Sequence, residues 1–206
     1  MNESLKHWEI IYETKTPDQV SWTQKKPATS LDFILELELK KDAHIIDIGA
    51  GDSNLVDHLL ELGFENITVL DISVAALKRA QGRLGKDASK VKWVHSDILE
   101  FIPSEHYDLW HDRAAFHFLT AKENIDKYIE IVEKAVAKNM IIATFSDEGP
   151  LKCSGLDITQ YSIQSLTEAF SNSFILKHSK IEDHVTPFDT KQNFVFGLFE
   201  KTISQN

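Results

Sequence analysis

The run Ile45-Ile46-Asp47-Ile48-Gly49-Ala50-Gly51 ends an apolar stretch on two glycines separated by one residue. Glycines at the carboxyl end of a strand remove Cβ atoms, so the backbone turns tightly and a ligand can touch it. Asp71 follows Gly49 by 22 residues and closes a second apolar run, Ile67 to Leu70. A carboxylate at that tip can accept from both hydroxyls of a ribose. Asp97, in His95-Ser96-Asp97-Ile98, follows a third such run. Taken singly, a GxG is weak and an Asp after a strand is most often a turn former. Glycine, acid and acid on successive strand tips together point to a nucleoside crevice, in which Asp71, as a strand-tip acid, is expected to be solvated.

The elements that would position these residues follow from periodicity. Ala43 to Ile48, Ile67 to Leu70, Val91 to Val94, Asp108 to Trp110 and Met140 to Phe145 read as short buried strands. Ser53 is expected to cap a helix carrying Val56, Leu59 and Leu60 that stops at Gly63, and Ser73 one carrying Val74, Leu77 and Leu84 that stops at Gly85. Thr120 and Glu123 have capping-box spacing ahead of a helix with Ile125, Ile129 and Val132. Ile163, Leu166 and Phe170 mark another helix, and Ser30 to Leu39 reads as a helix or a strand. Phe174 to Leu176 and Phe194 to Phe199 are strands with no helix between them, hence antiparallel neighbours. The expected fold class is α/β: a doubly wound, Rossmann-like, seven-stranded sheet, mostly parallel with a C-terminal antiparallel pair. We expect one domain over 1–206, with an arm at 1–30, a cofactor-binding core at 43–145 and a C-terminal part at 146–206.

A dinucleotide fingerprint wants glycine or alanine at the sixth position of GxGxxG, and here that position is Asn54. Asp52 adds negative charge where a pyrophosphate would lie, which a ligand with a sulfonium and an ammonium tolerates. With these features the segment 45–145 resembles the class I S-adenosylmethionine-dependent methyltransferases. The resemblance implies S-adenosylmethionine as cofactor, Gly49, Ala50 and Gly51 along its methionine part, and Asp71 on its ribose. It also implies Ile72 and Ile98 beside adenine and Asp97 accepting from the adenine amino group. Asp47 is expected to brace the loop.

The arm is similar to a narrower set. Trp8, Tyr12 and Trp22, followed by Gln24 and Pro27, resemble the arm of thiopurine methyltransferase-like proteins and of small lysine methyltransferases acting on citrate synthase and elongation factor 1A. That likeness implies an arm folded over the cofactor, with aromatic faces near the sulfonium; the plainer employment of the three rings is to anchor the arm. After the fourth strand comes Trp110-His111-Asp112-Arg113-Ala114-Ala115-Phe116-His117-Phe118. The resemblance puts cofactor and acceptor contacts here, with Arg113 toward the cofactor. His111 and His117 are proton-acceptor candidates because imidazole titrates near neutrality, and Asp112 and Glu148, at the ends of the fourth and fifth strands, are expected as rim carboxylates for a lysine ammonium. These three, His111, Asp112 and His117, are the catalytic candidates.

The 206 residues carry 32 acidic and 22 basic side chains, a formal charge of −10, with no basic block, so nucleic acid is not an expected partner. No run approaches the roughly 20 apolar residues that span a bilayer, and the start is not a secretory signal, so a cytoplasmic location is expected. Cys153 is the one cysteine and reads as a small buried hydrophobe; His111 and His117 are six apart, and no metal is expected. Ser53 lacks the frame of a hydrolase elbow. The expected partner is a methyl acceptor, a protein lysine or a small thiol or heteroaromatic. A nicotinamide-dependent oxidoreductase and a non-catalytic adapter are the alternatives.

Overall fold

In a computed structural model that describes residues 3–202, the chain forms two compact units. Among the described residues, the first comprises 3–101 with the short segment 186–190, and the second 102–185 with 191–202. The seven long strands form the mostly parallel, Rossmann-like sheet expected from the sequence.

The first unit opens with helix α1 (Glu3–Thr14), a 3-10 turn at Pro17–Gln19 and helix α2 (Ala28–Glu36), which resolves the helix-or-strand ambiguity of that segment as helix. Strand β1 (His44–Ile48), helix α3 (Leu55–Glu61), strand β2 (Asn66–Asp71), helix α4 (Val74–Leu84) and strand β3 (Val91–His95) follow in strict alternation. β1 pairs parallel with β2, and β2 with β3. Ile45, Ile46 and Ile48 are all buried, as a strand covered on both faces demands. Ser73 caps α4 as expected, accepting the Ala76 N–H at 3.1 Å. The cap of α3 falls one residue later than expected, on Asn54, whose amide donates to the Gln24 carbonyl, while the Ser53 hydroxyl accepts the Leu55 N–H.

In the second unit, strand β4 (Tyr107–Arg113), helix α5 (Lys122–Ala135) and strand β5 (Val136–Phe145) run on without a connecting loop between α5 and β5. The expected Thr120 cap does not form; Ala121 is the N-cap, with no side-chain bond. A two-residue hairpin pairs β6 (Lys152–Cys153) with β7 (Leu156–Asp157), then come helix α6 (Ile163–Phe170) and strands β8 (Phe174–Val185) and β9 (Lys191–Lys201). β4 and β5 are parallel, whereas β5–β9 and β9–β8 are antiparallel. Tyr128, Val132 and Ala135, on one stripe of α5, are buried together with Phe116, Phe170 and Phe199. No helix among the described residues is long and apolar enough to cross a membrane.

Candidate functional site

The glycine loop after β1 is built as the spacing requires. Gly49 and Gly51 both have φ of +57°, a conformation that costs an L side chain about 1–2 kcal/mol. Gly49 is exposed, so its backbone is open to a ligand. Gly51 has a different neighbour from the one expected: a Cβ there would strike the hydroxyl of Tyr12. The bare face of Gly51 is therefore a seat for the arm.

Asp71 ends β2 with its carboxylate turned onto this loop. One oxygen accepts the Gly51 N–H at 2.6 Å and the other the Ser73 N–H at 2.8 Å. It is only 4% exposed, which corrects the expectation of a solvated strand-tip acid. Burial pushes its pKa up to about 6; the two N–H groups work against that rise, and Asp47 and Asp52 add to it. Three carboxylates thus crowd one corner of the first unit, an arrangement that a cationic ligand relieves. Ile72 and Ile98 are half-buried and flank the tips of β2 and β3. Asp97 is half-buried too, and its Oδ1 caps the 3-10 turn Ile98–Glu100 by accepting the Leu99 N–H at 3.0 Å.

The aromatic arm packs as one cluster. Trp8 and Trp22 meet edge to face at 5.8 Å, Tyr12 and Trp22 at 6.3 Å, and Trp8 and Tyr12 lie 6.4 Å apart. Burial drives the Tyr12 hydroxyl well above its ordinary pKa, reinforced by Asp71 and Asp52, so it stays protonated. Two residues that no sequence signal singles out hold the arm in place. Glu9 accepts from the Ser73 hydroxyl at 2.7 Å and from the Ala75 N–H at 3.2 Å. Arg79 donates to the Lys15 carbonyl and to Asp52, and its guanidinium carbon lies 6.0 Å from the Tyr12 ring centre. Nothing short of the three-dimensional approach of α1 to α4 would have revealed either.

In the second unit the turn after β4 is strained. Ala114 has φ of +74°, unusual for a residue with a side chain, and its N–H donates to the Ala143 carbonyl. Asp112 is fully buried; Oδ1 accepts the Ala115 and Phe116 N–H groups at 2.8 and 3.2 Å, and Oδ2 the Tyr128 hydroxyl at 2.6 Å. The rim position expected for Asp112 is thus not observed, because its carboxylate is consumed in bracing the turn. Its pKa is pushed up to about 6 by burial, against the pull of those donors and of His111. Glu148, by contrast, is exposed.

His117 is fully buried against Phe118 and Phe145, and its Nδ1 accepts the Phe145 N–H at 3.3 Å, which leaves the proton on Nε2. Burial lowers its pKa to about 3, with Arg113 adding to the effect, so the ring is neutral near pH 7. His111 is buried as well. Arg113 is half-buried with its guanidinium 4.7 Å over the Phe194 ring. Cys153 is buried, and burial raises its thiol to about 12 against the influence of Arg113. No cluster of three or more His, Cys, Asp or Glu side chains that could hold a metal ion occurs among the described residues.

A methyltransferase-domain family model matches residues 46–142. No curated protein matches the chain. Among solved structures, the N-methyltransferase NodS from Bradyrhizobium japonicum WM9, in complex with S-adenosyl-L-homocysteine, aligns with a TM-score of 0.72 at 15% identity, covering 98% of this chain and 100% of its own. A S-adenosylmethionine-dependent methyltransferase from Anabaena variabilis aligns with a TM-score of 0.74 at 14% identity, covering 97% and 93%. A protein from work on the conversion of a disulfide bond into a thioacetal group in echinomycin biosynthesis gives 0.76 at 16% identity, covering 98% and 94%. At such identities the shared property is the fold. The findings are thus a methyltransferase-domain match over residues 46–142 and a fold shared across nearly the whole chain.

Proposed function

We propose that this chain is a class I S-adenosylmethionine-dependent methyltransferase whose acceptor is a nitrogen nucleophile, a protein lysine. The observation that carries the cofactor reading is the corner where Gly49 is open at φ of +57° and Asp71 lies buried beside Asp47 and Asp52. A ligand with an ammonium and a sulfonium meets there the negative charge that a pyrophosphate would oppose. Gly49, Ala50 and Gly51 line its methionine part, Asp71 holds the ribose, Ile72 and Ile98 flank adenine, and Asp97 accepts from the adenine amino group. Trp8, Tyr12 and Trp22 cover it. The cofactor supplies an electrophilic methyl group on sulfur. The chain's own task is to align an acceptor lone pair and exclude water, so a dedicated strong base is dispensable.

At and just past the end of β4, His117 is a neutral donor with its Nδ1 already engaged, and Asp112 is a positioning residue for the turn that joins the strand residues His111 and Arg113 to His117. His111 is the candidate that remains as proton acceptor. The lysine reading is supported by the formal charge of −10, which suits a basic partner, and by the arm's resemblance to lysine-methylating proteins. A lysine must lose its proton before it attacks, and its free pKa is near 10.4, so the rate should climb between about pH 7 and 9. A second reading, a small thiol or heteroaromatic acceptor, is favoured by the aromatic cluster after β4, where Phe116 stacks on Tyr161 at 5.2 Å and His117 lies tilted against Phe145 at 4.7 Å.

Calorimetry with S-adenosylmethionine, S-adenosylhomocysteine and NAD tests the cofactor. Heat with the first two and none with NAD is expected; the reverse pattern overturns the reading. Labelled cofactor incubated with cell extract then tests the acceptor. Methyl-sized mass additions on lysine are expected, and label confined to small molecules would transfer the case to the second reading.

A further inference from the structure

Helices α1 and α4 cap each other. Glu9 of α1 reaches the N-terminus of α4, accepting from the cap residue Ser73 at 2.7 Å and from the Ala75 N–H at 3.2 Å. Arg79 of α4 reaches the C-terminus of α1, donating to the carbonyl of Lys15 just past its last turn. Negative charge at an N-terminus and positive charge at a C-terminus are the favourable signs at both ends. Burial opposes the Glu9 charge, yet the Ser73 hydroxyl and the Ala75 and Val74 N–H groups hold its carboxyl below the ordinary value.

This junction continues into the candidate cofactor corner. Ser73, which donates its hydroxyl to Glu9, donates its N–H to Asp71. Asp71 accepts from Gly51, and Gly51 is the seat of Tyr12, three residues along α1 from Glu9. The chain of contacts Glu9, Ser73, Asp71, Gly51, Tyr12 therefore closes on itself through one turn of α1. Arg79 braces the ring from inside, bonded to Asp52 and lying by the Tyr12 ring.

We infer that Glu9 and Arg79 are positioning residues that preform the cofactor site: they dock the arm on α4, and docking and occupation of the Asp71 turn stabilise each other. The inference rests on the reading that Asp71 and the glycine loop hold the adenosyl cofactor. Docking the arm fixes Ser73 and Gly51, the two residues whose N–H groups aim the Asp71 carboxylate. A preformed site binds more tightly because less ordering remains to be done on binding. The reciprocal statement follows by linkage: bound cofactor must tighten the arm by the same factor.

The test uses the full chain, with S-adenosylhomocysteine as probe. Calorimetry on wild type, Glu9→Ala, Glu9→Gln, Arg79→Ala, Ser73→Ala and the Glu9/Ser73 double variant gives affinities, and circular dichroism reports folding. Glu9→Ala and Arg79→Ala should each weaken binding about tenfold, with the S-adenosylmethionine KM rising and kcat little changed. Glu9→Gln keeps an acceptor for Ser73 and should recover most of the loss. Ser73→Ala should add less than twofold to the affinity loss of Glu9→Ala, since both cut the Glu9–Ser73 bond, while its lost Ala76 cap lowers stability in the circular dichroism melt. The tryptophan emission of the Trp8–Trp22 pair should respond to the probe in wild type and less in Glu9→Ala. Folded Glu9→Ala and Arg79→Ala proteins that bind within twofold of wild type would overturn the inference, as would full additivity of the Glu9 and Ser73 changes. A wild type that fails to bind the probe overturns the cofactor reading instead.

Discussion

Replacing Asp71 by Asn separates what the carboxylate does for the ligand from what it costs the fold. At 4% exposure and with its pKa pushed up to about 6, the ionised group is held against burial and against Asp47 and Asp52. A free aspartate titrates near 3.9, so the difference corresponds to roughly 3 kcal/mol at pH 7. Because the folded pKa is the higher one, the folded state binds more protons in this window. Stability from Asp71 is therefore complete below about pH 4 and is lost as pH rises through 6. Asparagine has no such dependence, but its amide nitrogen cannot accept, so either the Gly51 or the Ser73 N–H loses its partner, at about 1–3 kcal/mol. At pH 4 only that loss acts and the variant should be the less stable protein. Between pH 4 and 7 the variant should gain on wild type by about 2 kcal/mol, which brings the two close to parity or beyond. Urea unfolding of both proteins at the two pH values measures this directly; Asp112 titrates in both and cancels in the difference. Affinity for S-adenosylhomocysteine at pH 7 should fall at least tenfold. A stability difference that ignores pH would refute the buried charge, and undiminished affinity would refute the ribose contact.

Three further outcomes are expected. Gly51→Ala should leave a folded protein with weakened cofactor binding, because its Cβ strikes the Tyr12 hydroxyl and its φ is +57°; adding Tyr12→Ala should remove the steric part, and calorimetry on both compares them. Asp112→Ala strands the Ala115 and Phe116 N–H groups and the Tyr128 hydroxyl, so thermal unfolding should show a loss of at least about 3 kcal/mol, far from the behaviour of a rim residue. His117 should show no imidazole titration by NMR between pH 5 and 8, its pKa lying near 3; a midpoint near 6.5 would show that its ring is solvated.

The alternating part of the chain was legible because its signals are local. The strand ahead of Gly49, the Ser73 cap and the glycine stops at 63 and 85 all concern neighbours in sequence. Strands β8 and β9 read as much shorter than they are, since the mostly polar stretch Lys177 to Asp183 is held as strand by its register with residues 193–198, and Lys191 to Asn193 by theirs with 183–185, not by an apolar pattern. Helix α1 was hidden for a related reason: only Ile11 and Tyr12 on it are buried, and its aromatics serve a cluster with Trp22 and not a regular stripe. The strand-tip acids could be placed in order along the chain, but not assigned an environment. Asp71 is buried because Gly51 and Ser73 fold onto it, and Asp112 because Tyr128 does, partners that lie 20, 2 and 16 residues away. Glu9 and Arg79 belong to the same category, as their pairing needs two helices brought side by side.

The absence of a loop between α5 and β5 sets where this chain can tolerate changes of length. Val136 is at once the residue whose N–H closes the last turn of α5 on Val132 and the first residue of the strand. An inserted residue would have no slack to occupy. It would either overwind the helix or advance β5 by one position, and a shift of one sends every side chain of a strand to the opposite face. Met140, Ile142 and Thr144 would exchange places with Ile141, Ala143 and Phe145, breaking their register with β4 and β9 together. Length variation among descendants of this sequence, and insertions made by an engineer, are therefore steered away from residues 135–136 and toward connections such as 146–151, where the backbone leaves the sheet.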